Sequence, residues 1–397
     1  MKIKNNKKLG RPMPVIYHLF FWLSAMYIRL RGVKITVDRS GLKGLKGPAL
    51  FLCPHISLKD HIIVGYALLP RRLTFILSEH FISIPVLGKI LKNWGHIITK
   101  KMFCSDVSTI VGIMRAKKEN NIIVMFPEGR LNAVAHSQPV ADGTAELVKK
   151  LGIDVYSVVG NGAALVFPKW GEKYRRGRID IKSYKLLDTA EISRMTVADI
   201  SNTIDRAIYH DDEKAMAGVR YRCSDTSKGL ETILYKCPEC MGESCITAGG
   251  GKIRCSMCGF ETTLSDDYRL DYEKLKSVNE WFYWQRDQLD LNAVLSDDVK
   301  IGTVGEDGIM DFNAGKGHIT LDREKICLNG ELYGSPLQFS IKTSSIAGMP
   351  YTPNREFDIY YQKKLLYIMP VDKNQIVKYV TMVDRLTEER KKPASGL

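Results

Sequence analysis

The stretch Leu50-Phe-Leu-Cys-Pro-His-Ile-Ser-Leu-Lys-Asp60 contains the first strand-to-helix turn of the predicted fold. The apolar residues up to Cys53 predict a short buried strand, which Pro54 ends, so that His55 falls on the turn. Ser57 is a plausible helix N-cap, and Ser57-Leu-Lys-Asp60 matches a capping box, which is a sufficient structural reason for a carboxylate at position 60. Across such a turn, Asp60 can also hold one ring nitrogen of His55 protonated and leave the other as a general base.

A second strand-to-loop transition lies at Asn121-Ile-Ile-Val-Met-Phe-Pro-Glu-Gly-Arg130. Alone, a loop with Pro127 and Gly129 is typical of an ordinary turn. Its position after another strand of the same predicted sheet favours a functional role. A guanidinium group matches phosphate oxygens bidentately, so Arg130 is a candidate phosphate ligand.

Short apolar runs and longer amphipathic segments alternate around these two loops. This alternation predicts an α/β domain with a largely parallel sheet. Helices are predicted to begin near Ser57, Ser105 and Gly143, and a last helix is predicted from Thr196 to Val219. The predicted strands are Ala49–Cys53, Leu73–Leu77, His96–Thr99, Asn121–Phe126, Val155–Val159 and Arg178–Leu187.

The combination of His-x4-Asp with a later Phe-Pro-Glu-Gly resembles the glycerolipid acyltransferase family, which includes 1-acyl-sn-glycerol-3-phosphate acyltransferases. The resemblance extends over about residues 15–215. It implies that His55 is the general base, that Asp60 orients it, and that Glu128 and Gly129 help to bind glycerol phosphate. Gly95-His-Ile-Ile-Thr-Lys-Lys101 is similar to the family's intermediate block, with Lys101 where Arg is usual.

Two further positions depart from the family's pattern. Arg130 directly follows Gly129, where the family more often has a small residue first, and Val155-Tyr-Ser-Val-Val-Gly160 lacks the usual Pro of the fourth block. The resemblance implies transfer of an acyl group from a thioester, either acyl-CoA or acyl carrier protein, to the free hydroxyl of 1-acyl-sn-glycerol 3-phosphate (lysophosphatidate), giving phosphatidate. Lys101 and Arg130 would hold the phosphate, and no catalytic cofactor is implied.

The departures leave two alternatives open. One is a different acceptor, such as another lysophospholipid or glycerol 3-phosphate, and the other is a catalytically weak or inactive lipid-binding protein on the same scaffold. Cys53 beside the site could suggest a Cys–His nucleophile, but its apolar neighbours favour a packed core thiol.

The charge of the chain is concentrated in its first part. Residues 1–218 contain 34 Lys and Arg against 18 Asp and Glu, a net charge of +16, whereas residues 219–397 have a net charge of −2. This asymmetry predicts an anionic partner, which is a nucleic acid, an acidic substrate or an anionic membrane surface. The basic run Lys169–Lys185 could contact anionic headgroups or the phosphates of an acyl carrier. A solvated strand edge explains the run equally well.

The apolar run Val15–Ile28 is shorter than the roughly 20 residues that cross a bilayer. It predicts a helix in the membrane interface or, alternatively, a core helix of the first domain. In the first case its buried side would carry Tyr17, Phe20, Phe21, Trp22 and Tyr27. The predicted location is the cytoplasmic face of the cell membrane, in peripheral or monotopic form.

Cys237, Cys240, Cys255 and Cys258 form a Cys-x2-Cys-x14-Cys-x2-Cys pattern. This spacing is typical of a structural zinc site, so we expect a zinc ribbon with all four zinc positions filled by thiolates. The charges between Cys237 and Cys258 sum to zero, which argues against nucleic-acid binding and favours a role with a protein partner. Gly249-Gly-Gly-Lys252 lacks the Ser or Thr of a phosphate loop and predicts a hairpin turn.

The tail of the chain changes to short strand-like runs and a final helix from about Lys373 to Lys391. This pattern is weakly similar to small PH/GRAM-like barrels with a C-terminal helix, so a β-rich domain is predicted there and offers a second surface for a protein partner. A helix is predicted over Asp271–Leu291. The predicted organisation is an N-terminal interfacial helix (1–36), an acyltransferase domain (37–222), a zinc ribbon (230–265), a helical linker (266–296) and the β-rich domain (297–397).

Overall fold

The computed structural model describes residues 9–84, 87–91, 95–101, 106–305, 308–362 and 364–391. The basic residues before Leu9 and the helix start predicted at Ser105 lie outside these ranges. The chain divides into two compact units. Unit 1 comprises the described residues up to Pro168 together with Tyr174–Tyr221, and unit 2 comprises Lys169–Lys173 and the described residues from Arg222 onward.

Unit 1 is an α/β domain around one mostly parallel sheet of seven strands, in the order β1-β7-β6-β2-β5-β3-β4. The pairs β1–β7, β2–β6, β2–β5, β3–β5 and β3–β4 are parallel, and β6–β7 is antiparallel. The strands are β1 (Val33–Asp38), β2 (Ala49–Leu52), β3 (Leu73–Ser78), β4 (Ile98–Lys100), β5 (Ile122–Met125), β6 (Val155–Asn161) and β7 (Gly177–Leu187). The helices are α1 (Pro14–Leu30), α2 (Asp60–Ala67), α3 (Leu87–Ile90), α4 (Val107–Lys118), α5 (Thr144–Leu151), α6 (Ala163–Val166), α7 (Thr189–Arg194), α8 (Val197–Ile208) and α9 (Asp212–Ala215).

The strands at the centre of this sheet are apolar on both faces because helices cover both sides. All four residues of β2 are buried, and Leu50 and Leu52 join one core cluster with residues of α4, α5 and α8. Ile200, Ile204 and Ile208 supply the i, i+4 stripe of α8. The prediction of a mostly parallel α/β sheet is therefore confirmed.

Two local predictions in unit 1 are wrong, and one strand was not predicted. The predicted helix over Thr196–Val219 ends at Ile208, after the last residue of its apolar stripe, and a separate short helix follows at Asp212. Helix α2 begins at Asp60, with Lys59 and not Ser57 at the cap position. Strand β1, which has no counterpart among the predicted strands, pairs in parallel with β7.

Helix α1 has two apolar faces. Tyr17, Phe21, Ala25 and Ile28 are buried against unit 1, where Phe21 lies so close to Gly65 of α2 that a Cβ at position 65 would overlap its ring. Phe20, Trp22 and Tyr27 are instead exposed, so the five aromatic residues do not share one side. The helix is thus partly a core helix and also presents an apolar surface outward. Within the described residues, no helix is long and apolar enough to cross a membrane.

Unit 2 contains two antiparallel sheets. A three-stranded sheet has the order β10-β9-β8, and a seven-stranded sheet has the order β14-β13-β12-β11-β17-β16-β15. The first is formed by β8 (Ile246–Gly249), β9 (Lys252–Cys255) and β10 (Glu261–Thr263). The second is formed by β11 (Leu295–Val304), β12 (Met310–Leu321), β13 (Lys325–Leu332), β14 (Ser335–Lys342), β15 (Tyr351–Thr352), β16 (Glu356–Tyr361) and β17 (Lys364–Pro370).

Two helices complete unit 2, α10 (Val278–Asp287) and α11 (Ile376–Lys391). The helix predicted over Asp271–Leu291 is shorter than expected, because Ser277 caps it by accepting a hydrogen bond from the Glu280 N–H. Trp281 of α10 is fully buried, and its Nε1 donates to the carbonyl of Lys236 at the start of the cysteine segment.

Candidate active site and cysteine cluster

The two loops singled out by the sequence meet at one edge of the sheet of unit 1. Strands β2 and β5 are parallel neighbours with Leu52 opposite Met125, so the loops that follow them leave the same edge. The Cys53 N–H still donates to the carbonyl of Met125, and the chains then separate into the His55 turn and the Glu128 loop.

The imidazole of His55 lies 2.9 Å from Asp60, measured between Nδ1 and Oδ2. The same Oδ2 accepts the N–H of Ser57 at 2.9 Å, which is one of the two bonds of the predicted capping box, although Asp60 is the first residue of α2 and not the third. The carboxylate of Asp60 therefore closes the turn and holds His55 at the same time, so the structural and the functional explanations both apply. With Nδ1–H donating to Asp60, Nε2 remains the basic nitrogen.

Burial controls the electrostatics of this pair. Asp60 is 5% exposed, and burial raises the pKa of its carboxyl, while the hydrogen bonds from His55 and Ser57 act in the opposite direction. The negative charge of Asp212 contributes a further rise in the pKa of Asp60. The ring of Phe126 stacks on His55 with centroids 4.6 Å apart, which covers one face of the imidazole.

Glu128 ties the two loops together. One carboxylate oxygen accepts the N–H of His55 at 2.6 Å and the other accepts the N–H of Gln138 at 2.6 Å. The side chain is buried, and burial raises the pKa of Glu128 well above its usual value against the effect of the two N–H donors. Gly129 has a φ of 79°, which only glycine adopts readily, and this conformation lets the chain turn after Glu128. Both carboxylate oxygens of Glu128 thus contact the protein, and a role in substrate binding stays a prediction.

The two predicted phosphate ligands lie in different surroundings. Arg130 is buried beside the Glu128 loop, and its Nε donates to the side-chain oxygen of Gln138 at 3.0 Å. Lys101 follows β4 and donates its backbone N–H to Asp106. Strand β4 lies three strands from β2 in the sheet order, which corresponds to about 14 Å at the usual strand spacing. Arg130 is therefore joined by hydrogen bonds to the His55 site, and Lys101 lies at the far side of the sheet edge.

A pocket opens beside the Glu128 loop, between the ends of β3, β4 and β5 and helices α4 and α5. Its wall is mostly apolar, and its charged residues are Lys100, Asp106 and Asp142. Burial lowers the pKa of Lys100, and the charge of Asp106 opposes this shift. The apolar wall includes Ile76, Ile110, Ile113, Met125, Pro127 and Leu147.

Cys53 is excluded as a nucleophile by its surroundings. It follows directly after β2 and is fully buried, and this burial raises the pKa of its thiol to about 12. A thiolate is the reactive form of cysteine, so this thiol is inert at neutral pH. The packed-core interpretation of Cys53 is confirmed.

The geometry agrees with what comparison with known families finds. Residues 33–160 match the Acyltransferase family model. This stretch of unit 1 contains the His55 turn, the Glu128 loop and the pocket, and it supports an acyltransferase-like domain within the chain. The match ends at Gly160, before β7, α8 and all of unit 2.

Among solved structures, the chain is similar to the 1-acyl-sn-glycerophosphate (LPA) acyltransferase PlsC from Thermotoga maritima. The sequence identity is 13%, the alignment covers 49% of this chain and 94% of that chain, and the TM-score is 0.37. The comparison with curated proteins finds no significant match.

Several residues at this site were missed by sequence reasoning. Gln138 and Ser137 extend the Glu128 loop, and His210 and Asp212 approach from beyond α8. The available signal was the polar group His210-Asp-Asp212, which interrupts the apolar stripe of the helix predicted over 196–219. Such an interruption argues against a continuous amphipathic helix.

In unit 2, the four cysteines of the Cys-x2-Cys pattern come together. Their Sγ atoms all lie within 4.8 Å of one another, with Cys237 3.8 Å from Cys258 and Cys240 3.7 Å from Cys255. Sulfur atoms at 2.3 Å from a tetrahedral zinc would be separated by about 3.8 Å, so the geometry fits a zinc site. Met241 and Gly259 follow the two cysteine pairs with positive φ angles of 61° and 77°, so each pair is followed directly by a turn in the backbone.

Proposed function

We propose that this protein is an O-acyltransferase that moves an acyl group from acyl-CoA or acyl carrier protein to the free hydroxyl of 1-acyl-sn-glycerol 3-phosphate, giving phosphatidate. The observation that carries the proposal is the His55–Asp60 hydrogen bond at 2.9 Å, held through Glu128 inside the segment that matches the acyltransferase family.

In the proposed reaction, Nε2 of His55 takes the proton of the acceptor hydroxyl as its oxygen attacks the thioester carbonyl. The carboxylate of Asp60 stabilises the imidazolium that forms, since it accepts the Nδ1–H bond. The C–S bond then breaks, and the imidazolium returns the proton to the departing thiolate. This sequence uses no covalent enzyme intermediate and no catalytic cofactor.

Substrate placement in this proposal follows from charge and polarity. Arg130 supplies positive charge for the phosphate, Glu128 and Gly129 shape the loop, and the apolar pocket suits an acyl chain. Since Lys101 stands about 14 Å along the sheet edge from β2, it would contact a part of the substrates remote from the reacting hydroxyl.

The test is turnover of lysophosphatidate with a labelled long-chain acyl thioester by the purified protein. We expect phosphatidate formation that His55→Ala abolishes. His318→Ala is the matched control, because His318 also pairs with a carboxylate, Asp298, at 2.7 Å, but on an exposed sheet of unit 2. Absence of turnover, or equal activity of the two variants, would favour the inactive lipid-binding alternative. Turnover only with another lysophospholipid or with glycerol 3-phosphate would correct the acceptor.

We further propose that unit 1 binds an anionic membrane surface through α1, at the cytoplasmic face of the cell membrane. The exposed face of α1 carries Phe20, Trp22 and Tyr27, the helix contains no acidic residue, and Arg29 lies in its last turn. Trp22→Ser should weaken sedimentation with vesicles containing anionic lipid by about tenfold, since an exposed indole would otherwise be buried in the interface. Val371→Ser, an exposed apolar position of unit 2, is the control and should bind like wild type.

For unit 2 we propose a structural zinc ion held by Cys237, Cys240, Cys255 and Cys258, with a protein as the partner of the ribbon or of the PH/GRAM-like β-rich part. The basic residues between Cys237 and Cys258 are Lys252 and Arg254, and both pair with Glu261. Lys236 pairs with Glu243, so the cations of the ribbon face carboxylates and do not form the basic surface that nucleic acids require.

A further inference from the structure

The chain leaves α8 at Ile208 and returns to the active-site loop through residues 209–212, here called the return segment. His136 and Asp211 form an antiparallel bridge. The Ser137 N–H donates to the carbonyl of His210 at 2.8 Å, and the His210 N–H donates to Oγ of Ser137 at 2.8 Å. The Asp212 N–H completes the contact by donating to the carbonyl of Ala135 at 2.9 Å.

The return segment is fixed from its other side by the carboxylate of Asp212, which is fully buried. One oxygen accepts the N–H of Gly162 at 2.7 Å and lies 2.7 Å from Nε2 of His210, and the other accepts the N–H of Ala164 at 2.8 Å. Gly162 and Ala164 lie at the start of α6, directly after β6, so Asp212 connects the return segment to the end of that strand. A buried carboxylate requires all of these partners, because an ion in the interior is costly without them.

Hydrogen bonds and adjacent residues connect the return segment to the proposed catalytic histidine, His55. Ser137 is bound by His210, its neighbour Gln138 donates to one oxygen of Glu128, and the other oxygen of Glu128 accepts the N–H of His55. The separations along the sequence are 73 residues for His210–Ser137 and 73 for Glu128–His55, so no local propensity sets this arrangement. The segment lies outside the residues that match the acyltransferase family.

We propose that His210 and Asp212 are positioning residues for the acyl transfer proposed above, which hold the Glu128 loop, and through it the backbone of His55, in the reactive arrangement. The inference rests on that proposed function for its kinetic consequences. Neither side chain is assigned a contact with substrate. They act by fixing the position of the His55 ring relative to the acceptor hydroxyl, because a small displacement of that ring changes the rate of acyl transfer strongly.

The test compares His210→Leu with His210→Gln in the full-length protein. Leucine removes the donor to Asp212, whereas the amide nitrogen of glutamine can occupy the place of Nε2. We expect His210→Leu to lower kcat by about 10- to 100-fold with little change in KM for the thioester, as the loss of one hydrogen bond to a buried charge predicts. His210→Gln should retain most of the wild-type kcat.

A control separates positioning from general stability. Asp188 caps α7 by accepting the N–H of Glu191, and it takes no part in the connection to His55. Asp188→Ala should lower the midpoint of thermal unfolding and leave kcat unchanged. If His210→Leu behaves in the same way, or if glutamine fails to rescue, the residues only stabilise the fold and the proposal is overturned.

Amide hydrogen exchange gives a readout that does not depend on turnover. His210→Leu should speed exchange in peptides that contain Gln138 and His55, and unchanged exchange there would refute the positioning role. If the wild-type protein shows no acyl transfer while exchange responds as expected, the proposed function fails and the structural connection stands. Should His210→Leu fail to fold, Ser137→Ala removes only the Oγ acceptor and is expected to give the same changes in smaller measure.

Discussion

Replacing Asp60 with asparagine tests the catalytic pair with the least change in shape. The amide oxygen of asparagine can take the place of Oδ2 and still accept the backbone N–H of Ser57 and the ring Nδ1–H of His55, whereas the amide nitrogen there would face two donors. The turn and the imidazole tautomer are therefore expected to persist. What the variant lacks is the negative charge opposite the imidazolium that forms during proton transfer.

The size of the effect follows from two limits. Converting a charge-assisted hydrogen bond to a neutral one costs about 1 kcal/mol, and a pair of unit charges about 4 Å apart interacts by about 4 kcal/mol at an effective dielectric constant of about 20. A loss between these limits lowers kcat by about 5- to 1000-fold. Because the pair acts as a unit, adding Asp60→Asn to His55→Ala should produce almost no further loss.

The assay is phosphatidate formation from lysophosphatidate and a labelled acyl thioester, measured with the midpoint of thermal unfolding for each variant. Burial raises the pKa of Asp60, so its charged form is disfavoured in the folded protein, and the neutral asparagine should not lower the midpoint. A kcat within twofold of wild type would refute the catalytic role. If both the stability and the activity fall strongly, Asp60 serves mainly to close the turn through its bond to Ser57.

Three further predictions follow from the same contacts. Glu128→Gln should lower the free energy of unfolding by about 1 to 3 kcal/mol and reduce kcat, because the new amide nitrogen must face one of the two backbone N–H donors. Unfolding in denaturant measures the loss of stability, and an unchanged free energy of unfolding would contradict this prediction. Metal analysis should find one zinc ion per chain, and the Cys258→Ser variant should lose it. Cys327 lies outside the cluster, so Cys327→Ser should retain the zinc, and an equal zinc content of the two variants would refute the site. Burial lowers the pKa of His61 from 6.5 to about 4, so its contribution to stability is present above pH 6.5 and is lost as the pH falls towards 4, by about 3 kcal/mol. His61→Gln should flatten this part of the stability curve, and an unchanged pH dependence would show that another group is responsible.

The sequence by itself determined the features that depend on neighbours along the chain. The alternation of apolar and amphipathic segments predicted the parallel sheet, and the five-residue spacing of His55 and Asp60 placed both side chains on one turn. The spacing of the four cysteines likewise anticipated their cluster in unit 2. In each case a few residues and a turn fix the geometry, so the pattern carries the information.

Only the tertiary structure decided which distant groups meet. Arg130 has the positive charge that a phosphate ligand requires, but its position beside Gln138 follows from the folding of the loop. Helix α1 is apolar on two faces, and docking against Gly65 determines which aromatic residues remain exposed. His210 and Asp212 reach the Glu128 loop because α8 ends where its apolar stripe ends and the chain turns back. Contacts across 73 residues depend on how the helices pack on the sheet, and no spacing in the sequence specifies them.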